Sequence, residues 1–258
     1  MKRFSIVWFI CLIVISSGCG KSKYRHSSPE DYYEAAQKAL SRKKCFQAGQ
    51  LFRNLLTDYP GSHLVDDAQY GLGQSYQCQK DYVSAIFEYE RLLHEYPVSS
   101  FTDEAQYQIG ECNFLQARDI HHDQVETFSA IQEFERFVED FPESELVPKA
   151  RARILDLRSR LAEKELMIAQ NYIKWNYPLA AKRVCEEILE NFGDTEMVEQ
   201  TKFELAKAQH KLGDLEEALE TLTLLAGNGA SGEFKKDIIE ETEKVQEAIV
   251  KRGPTQVQ

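Results

Sequence analysis

Residues 70–97 read YGLGQSYQCQKDYVSAIFEYERLLHEYP, and this stretch decides the fold. The small residue Gly73 is followed twelve residues later by Ala85 and twenty-four residues later by Pro97. Apolar residues recur at helical spacing on both sides of a polar turn at residues 80–81. Proline cannot continue the hydrogen-bond ladder of a helix, so Pro97 ends the second apolar run. The stretch predicts two helices, A and B, that approach each other closely where the small residues lie.

The same marks recur along most of the chain. Small residues mark helix A at Ala36, Gly73, Gly110, Ala169 and Ala206, alanines mark helix B at Ala48, Ala85, Ala130, Ala181 and Ala218, and Pro60, Pro97, Pro142 and Gly193 stand near the ends of the first four units. From helix A marker to terminator the distance is 24 residues in units one, two and four, and 32 in unit three. From terminator to the next marker it is 13, 13, 27 and 13 residues. The basic period is therefore 37 residues, with inserts of 8 and 14.

Five units with these marks resemble the tetratricopeptide repeat over residues 29–230. The resemblance implies an all-α fold: a right-handed superhelical solenoid of five helical hairpins with a C-terminal capping helix. Fourteen residues make about 3.9 helical turns, so an insert of this length nearly keeps the rotational phase of a helix. We therefore predict that residues 148–175 form one long helix that joins units three and four. The eight extra residues of unit three predict a longer loop around residues 119–123. Residues 231–252 predict the charged capping helix.

The first residues of the chain differ in character from the rest. Two basic residues and an apolar run too short to span a bilayer predict a signal peptide over residues 1–18. Small residues then precede Cys19, as in the bacterial lipobox, although Ser16 stands where that motif usually has leucine. We therefore expect diacylglyceryl and N-acyl lipid on Cys19; the alternative is an ordinary signal peptide with an incidental cysteine. Lipoproteins retained in the inner membrane of many Gram-negative bacteria carry aspartate directly after the lipidated cysteine. Gly20 stands at that position here. The resemblance therefore favours the outer membrane, with the chain facing the periplasm.

These observations predict a linear domain organisation. It comprises the signal peptide (1–18), a lipidated tether (19–28), hairpins one to three (29–147), hairpins four and five with the long connecting helix (148–230), and the capping helix with a disordered tail (231–258).

Composition and motifs argue against catalysis and against nucleic acid as a partner. The formal net charge of −11 repels a phosphate backbone. The sequence contains no nucleophile elbow, phosphate-binding loop, HExxH or paired-cysteine zinc spacing. His121, His122 and Asp123 form a weak metal-ligand pattern, for which a solvated loop is the favoured interpretation. We expect no enzymatic activity, no metal and no cofactor other than the lipid.

Four cysteines follow the tether, in a compartment that permits disulfides: Cys45, Cys78, Cys112 and Cys185. Cys45 begins helix B of unit one and Cys78 ends helix A of unit two. In a tetratricopeptide stack these two ends lie on the same edge of neighbouring hairpins. The sequence therefore leaves two alternatives, a Cys45–Cys78 disulfide or two free, buried thiols.

A row of polar aromatic residues suggests a binding site. Tyr33, Tyr70 and Tyr107 each stand three residues before a helix A marker, and Gln37, Gln74 and Glu111 each stand one residue after it. In tetratricopeptide folds this part of helix A generally faces the concave groove. We therefore predict that these six residues line a groove for an extended peptide with aromatic side chains. The alternative is that the tyrosines pack against adjacent helices.

Several short sequence segments resemble those of the BamD (ComL) family of β-barrel assembly lipoproteins. They are YYEAA at 32–36, DYVSAI at 81–86, EYP at 95–97 and RARILDLRSRLA at 151–162. The layout of lipobox, tether, five hairpins and long middle helix is also similar to that family. The resemblance covers essentially the whole chain.

The resemblance implies that the N-terminal hairpins receive the C-terminal signal of unfolded outer-membrane proteins. It also implies that the C-terminal hairpins join BamA through a basic residue on helix B of the fourth hairpin. Lys182 and Arg183 are the nearest matches. Other assembly lipoproteins are further candidate partners. Two rival interpretations are an envelope scaffold for pilus assembly or cell-envelope constriction, and a peptidoglycan enzyme, for which no stretch outside the repeats is long enough.

Overall fold

The computed structural model describes residues 28–117, 124–227 and 232–253. Within these residues the chain forms eleven helices and no strand. The helices are α1 (Pro29–Ser41), α2 (Cys45–Asp58), α3 (Val65–Cys78), α4 (Tyr82–Glu95), α5 (Thr102–Gln116), α6 (Val125–Asp140), α7 (Val147–Lys174), α8 (Pro178–Asn191), α9 (Val198–Leu212), α10 (Leu215–Gly227) and α11 (Gly232–Arg252). The all-α prediction is confirmed.

Each helix packs against the next along the chain, and α1, α7 and α9 also contact the helix two places on. The helices therefore form five successive hairpins, α1–α2 to α9–α10, followed by α11. Helix B of the first three hairpins ends two residues before its proline, at Asp58, Glu95 and Asp140. The structure therefore has the five predicted units in the predicted order.

The small markers create space for aromatic rings of helix B. A Cβ added to Gly73 would lie 2.5 Å from the ring of Tyr89, and one added to Gly110 would lie 2.7 Å from the ring of Phe134. Both rings are fully buried, as are the helix B alanines. Each ring stands four residues after its alanine, so the glycines let helix A approach helix B with the ring between them.

The long helix predicted between units three and four is α7, which has 28 residues. In its first half, Ala150 and Leu157 pack in one cluster with Phe134 and Phe137 of α6. In its second half, Leu166 clusters with residues of α8. The 14-residue insert therefore makes one helix belong to two successive hairpins.

Helix α11 covers the end of the solenoid. Ile238 and Val245 are fully buried against α9 and α10. Phe234 and Ile249 are partly buried in the same cluster, and the ring centroid of Phe234 lies 5.6 Å from that of Phe203. These four residues form the apolar face by which the capping helix packs on the solenoid.

The turns between helices A and B of hairpins one, two, four and five share one backbone geometry. Lys43, Lys80, Asn176 and Gly213 all have positive φ, between 57° and 88°, and each stands five residues before a helix B alanine. A disulfide joins Cys45 to Cys78, with Cα atoms 5.7 Å apart, and so connects the first of these turns to the end of α3. Cys112 and Cys185 are free and buried.

Several predictions lie outside the described residues. They concern the signal peptide, the lipid on Cys19, most of the tether, the loop at 119–123 and most of the C-terminal tail. No helix among residues 28–117, 124–227 and 232–253 combines the length and apolarity needed to cross a membrane.

Candidate protein-binding surfaces

The rings of the tyrosine row pack inside the repeats. Tyr33 lies edge-on to Phe52, with centroids 6.0 Å apart, and Tyr107 lies 5.5 Å from Phe134. Tyr70 stacks on Phe101 with centroids 4.7 Å apart. Tyr107 is only 8% exposed. Most of this aromatic area already has a partner within the chain, so the polar ends of the row are the groups left for a ligand.

Those polar ends form a repeated hydrogen-bonded pair. Gln37 Nε2 donates to the hydroxyl of Tyr33 over 3.1 Å, and the hydroxyl of Tyr107 donates to Glu111 over 2.9 Å. The side-chain amide of Gln74 donates a hydrogen bond to the hydroxyl oxygen of Tyr70. Each pair stands one helical turn apart on helix A. The structure thus joins the six predicted residues into three tyrosine–partner pairs on α1, α3 and α5.

Burial makes these phenols still harder to ionise. It raises the pKa of Tyr70 to about 12, and the nearby carboxylate of Glu104 acts in the same direction. It also raises the pKa of Tyr107 to about 12, with a further contribution from the hydrogen bond to Glu111. The row therefore carries protonated hydroxyls that act as donors, beside amide and carboxylate groups.

Arg153 completes the third pair. Its Nε donates to Glu111 Oε1 over 2.6 Å and its Nη2 to Glu111 Oε2 over 3.2 Å. Its guanidinium carbon lies 4.1 Å from the centroid of the Phe114 ring. The sequence places Arg153 in the family-like stretch 151–162, but its contact with Glu111 spans 42 residues and has no local signal. Glu111 is consequently less available to a ligand than the amides of Gln37 and Gln74.

The same stretch fastens the fourth hairpin. Arg158 donates to both carboxylate oxygens of Asp194, at 2.6 to 3.2 Å, and to the carbonyl of Asn191 at 2.7 Å. Its guanidinium lies 5.5 Å from the centroid of the Phe192 ring. The stretch 151–162 is therefore the joint between hairpins three and four.

The two basic residues predicted to dock a partner have different surroundings. Lys182 Nζ lies 3.0 Å from Asp214 Oδ2 and 3.2 Å from Glu217 Oε2, and these hydrogen bonds raise its pKa. Lys182 therefore links the fourth hairpin to the fifth. Arg183 is exposed and has no ion pair within the described parts of the chain. Of the two, only Arg183 is free to meet a carboxylate of another protein.

Arg183 borders an apolar groove, which we call the docking groove. Its volume is about 610 Å³. It is lined by Tyr172, Asn176, Tyr177, Pro178, Leu179, Ala180, Arg183, Val184, Glu187 and Leu212. Tyr177 and Leu179 are 62% and 54% exposed and both line this groove, so together they form an exposed apolar patch. An exposed apolar surface with a free arginine at its edge has the composition of a protein interface.

Among the described residues, no group of three or more histidine, cysteine, aspartate or glutamate side chains could hold a metal ion. The surfaces present hydrogen-bond donors, amides, apolar area and one free guanidinium. These are groups that recognise peptides and protein faces.

The fold and these surfaces define a class: a tetratricopeptide-type helical repeat protein with surfaces suited to binding other proteins. Residues 25–224 match the model of the YfiO family, described as "Outer membrane lipoprotein". The chain therefore belongs to the YfiO family of outer membrane lipoproteins.

Individual relatives agree with this assignment. "Outer membrane protein assembly factor BamD" of Rickettsia prowazekii (strain Madrid E) is 25% identical over 189 residues, covering 73% of this chain and 75% of the relative. The predicted membership of the BamD family is confirmed.

One of the solved structures similar to this chain supports the fold. The TPR2AB domain of yeast Sti1, in complex with pHSP90, aligns over 87% of this chain and 84% of its own, with 12% identity and a TM-score of 0.50. A thermophilic TPR protein of Thermus thermophilus aligns over 86% and 100%, with 14% identity and a TM-score of 0.37. At these identities the likeness concerns the fold alone.

Proposed function

We propose that this protein is a subunit of a β-barrel assembly machinery, held to the periplasmic face of the outer membrane by lipid on Cys19. In this role it receives unfolded outer-membrane proteins with hairpins one to three and docks to a BamA-like barrel protein with hairpins four and five. Its action is binding, without catalysis. The observation that carries the proposal is the free Arg183 at the edge of the docking groove, in a family of outer membrane lipoproteins.

The docking step has a simple physical basis. The apolar side chains of the groove supply area that water leaves on association, and Arg183 supplies a fork of donors for one carboxylate of the partner. Lys182 acts within the chain, because its two carboxylate partners hold the fifth hairpin against the fourth. The proposed contact therefore needs Arg183 itself, with Lys182 keeping the groove in shape.

Client recognition rests on the polar row. An extended strand has unpaired backbone groups, and the hydroxyl of Tyr70 with the amides of Gln37 and Gln74 offers donors and acceptors for them. The hydroxyl of Tyr33 already donates to Asp67 Oδ1 and accepts from Gln37 Nε2. The tyrosine rings hold these groups in place by packing against helix B. This assigns the rings a positioning role, and it assigns the contact with the client to the Tyr70 hydroxyl and the two amides.

Docking can be tested by crosslinking in cells and identification of the captured proteins. Arg183→Glu should lose the barrel protein at least tenfold, because the partner carboxylate then meets a like charge. Arg151→Glu is the matched control, since Arg151 is exposed on α7, with no ion pair in the described residues. Undiminished capture with Arg183→Glu would refute the docking site. Capture of pilus or constriction proteins in place of a barrel protein would favour the rival scaffold role.

Client binding can be tested with a peptide from the C-terminal strand of an outer-membrane protein that ends in an aromatic residue. Gln37→Ala with Gln74→Ala should weaken binding about thirtyfold while helicity stays unchanged, since each of the two lost hydrogen bonds is worth about 1 kcal/mol. Gln132→Ala, at an exposed amide on α6, is the control. Tyr70→Phe keeps the stacking on Phe101 and removes the hydroxyl alone. If neither change alters the affinity, the row is not the client site.

A further inference from the structure

The first turn between helices A and B carries a local excess of positive charge, and the second turn adds Lys80 beside Asp81. Residues 38–50 contain four basic side chains and no acid, and residues 74–87 contain Lys80 and a single acid, Asp81. In the chain as a whole, by contrast, 42 acidic residues outnumber 31 basic ones. Arg42, Lys43 and Lys44, like Lys80, are exposed and form no ion pair with a described residue.

Two of these lysines occupy a backbone position that lysine rarely adopts. Lys43 and Lys80 have φ of 57° and 62°. At the equivalent place the fourth and fifth hairpins have Asn176 and Gly213, the residue types that tolerate positive φ best. Local stability therefore favours asparagine or glycine at 43 and 80. The two lysines place a positive charge at these turns at that local cost.

Large apolar side chains stand next to the charges. Phe46 and Val83 are 67% and 71% exposed, and Phe87, one turn after Val83, is 61% exposed. Phe46 and Val83 each lie two residues before a fully buried helix B alanine, and so point away from helix A of their own hairpin. The Cys45–Cys78 disulfide holds the first turn against the end of α3, two residues before Lys80. We call Arg42, Lys43, Lys44, Phe46, Lys80, Val83 and Phe87 the turn cluster.

We propose that the turn cluster is a membrane-contact surface that rests on a bilayer rich in anionic phospholipid. The basic side chains meet phosphate headgroups, and Phe46 and Val83 enter the boundary between headgroups and acyl chains. Exposed basic residues interleaved with exposed apolar side chains are the composition of interfacial membrane-binding surfaces. Their charge is complementary to an anionic leaflet and opposite to that of the rest of the chain.

The length of the tether permits this contact. Helix α1 has 13 residues and is about 20 Å long, so the first turn lies that far from its start at Pro29. The nine residues from 20 to 28 can span up to about 30 Å when extended. A lipid on Cys19 can therefore lie in the same membrane plane as the turn cluster. The inference rests on the lipid anchor of the proposed function and adds a second contact that fixes orientation.

The test uses the full lipidated protein in vesicles of phosphatidylcholine, with or without phosphatidylglycerol, made with brominated lipids. Phe46→Trp in a Trp175→Phe background provides one reporter in the mature chain, since the only other tryptophan, Trp8, lies in the predicted leader. We expect quenching of this reporter by brominated lipid in anionic vesicles and much weaker quenching in neutral vesicles or at high salt. Flotation with both kinds of vesicle verifies the lipid anchor separately.

Lys43→Gly with Lys80→Gly removes two charges and suits both turns better. The melting temperature should stay level or rise, while the equilibrium for membrane contact falls about fivefold per lysine. Lys149→Gln with Arg151→Gln removes the same charge from the exposed start of α7 and should change nothing. An unquenched reporter on floated anionic vesicles, as expected if the cluster instead binds an acidic protein segment, overturns the proposal. Equal quenching in neutral vesicles or in the double glycine variant also overturns it.

Discussion

Arg153 in α7 donates two hydrogen bonds to Glu111 in α5, and the shorter one joins Nε to Oε1 over 2.6 Å. Glu111 also accepts the hydroxyl of Tyr107. One carboxylate thus joins the first helix of the third hairpin to the first helix of the fourth. Hairpins three and four contain the end of the proposed client row and the proposed docking groove, so this pair lies between the two binding regions.

The pair should contribute measurably to stability. Arg153→Met and Glu111→Gln should each lower the free energy of unfolding by about 1–2 kcal/mol, because a charge-assisted, partly desolvated hydrogen bond is lost. A double-mutant cycle measured by urea denaturation should give a coupling energy of about 1 kcal/mol. Strictly additive effects would show that the two side chains do not stabilise each other.

The disulfide should stabilise the first two hairpins. It closes a loop of 33 residues, which corresponds to about 3–4 kcal/mol of loop-closure entropy. Reductant, or Cys45→Ser with Cys78→Ser, should lower the melting temperature. Mass spectrometry without reductant should find Cys45 and Cys78 unalkylated. Cys112 and Cys185, whose thiol pKa burial raises to about 12, should react only after unfolding. Native alkylation of Cys45 and Cys78 would contradict the bridge.

The marker glycines should not tolerate a methyl group. Gly73→Ala would place a Cβ 2.5 Å from the buried ring of Tyr89, and overpacking of this kind costs about 1–3 kcal/mol. Gly61→Ala is the control, because no atom lies within 4 Å of its added Cβ. Thermal unfolding should therefore separate the two variants clearly. Equal melting temperatures would mean that helices A and B can move apart to admit the added methyl group without loss of stability.

Glu104 should make stability depend on pH. Burial, together with the hydrogen bond to Asp103, raises its pKa to about 7 from a usual value near 4.5. Because the folded state binds this proton more tightly than the unfolded state, the stabilisation is complete below about 4.5 and is lost as the pH rises to about 7. Glu104→Gln should therefore raise the urea midpoint more at about pH 8 than at about pH 5. A pH-independent difference between the two proteins would contradict this assignment.

The periodic features were predictable from the sequence, and the pairings between repeats were not. The glycines, alanines and prolines recur with a period of 37 residues that is interrupted by inserts of 8 and 14, and the five hairpins and α7 follow from this pattern. Arg158 and Asp194 are 36 residues apart, and only the packing of α7 against α8 brings them together.

Two neighbouring residues on one helix also have contacts that the sequence could not predict. Lys182 and Arg183 differ by about 100° around α8, and that rotation alone decides which one faces the carboxylates of the fifth hairpin. For the tyrosine row, spacing predicted the shared face of helix A. Spacing could not show that the tyrosine rings already pack against aromatic side chains of helix B. The groove-lining role of the row remains a prediction.

The 28 residues of α7 make a rod about 42 Å long. Its N-terminal half is wedged into the third hairpin and its C-terminal half into the fourth. A continuous helix resists bending and twisting far more than a loop of the same length would. If hairpins one to three bind a client strand, as proposed, a force that the strand exerts on them would therefore reach hairpins four and five as a rigid displacement. In mechanical terms, α7 is a strut that passes force between the two ends of the molecule.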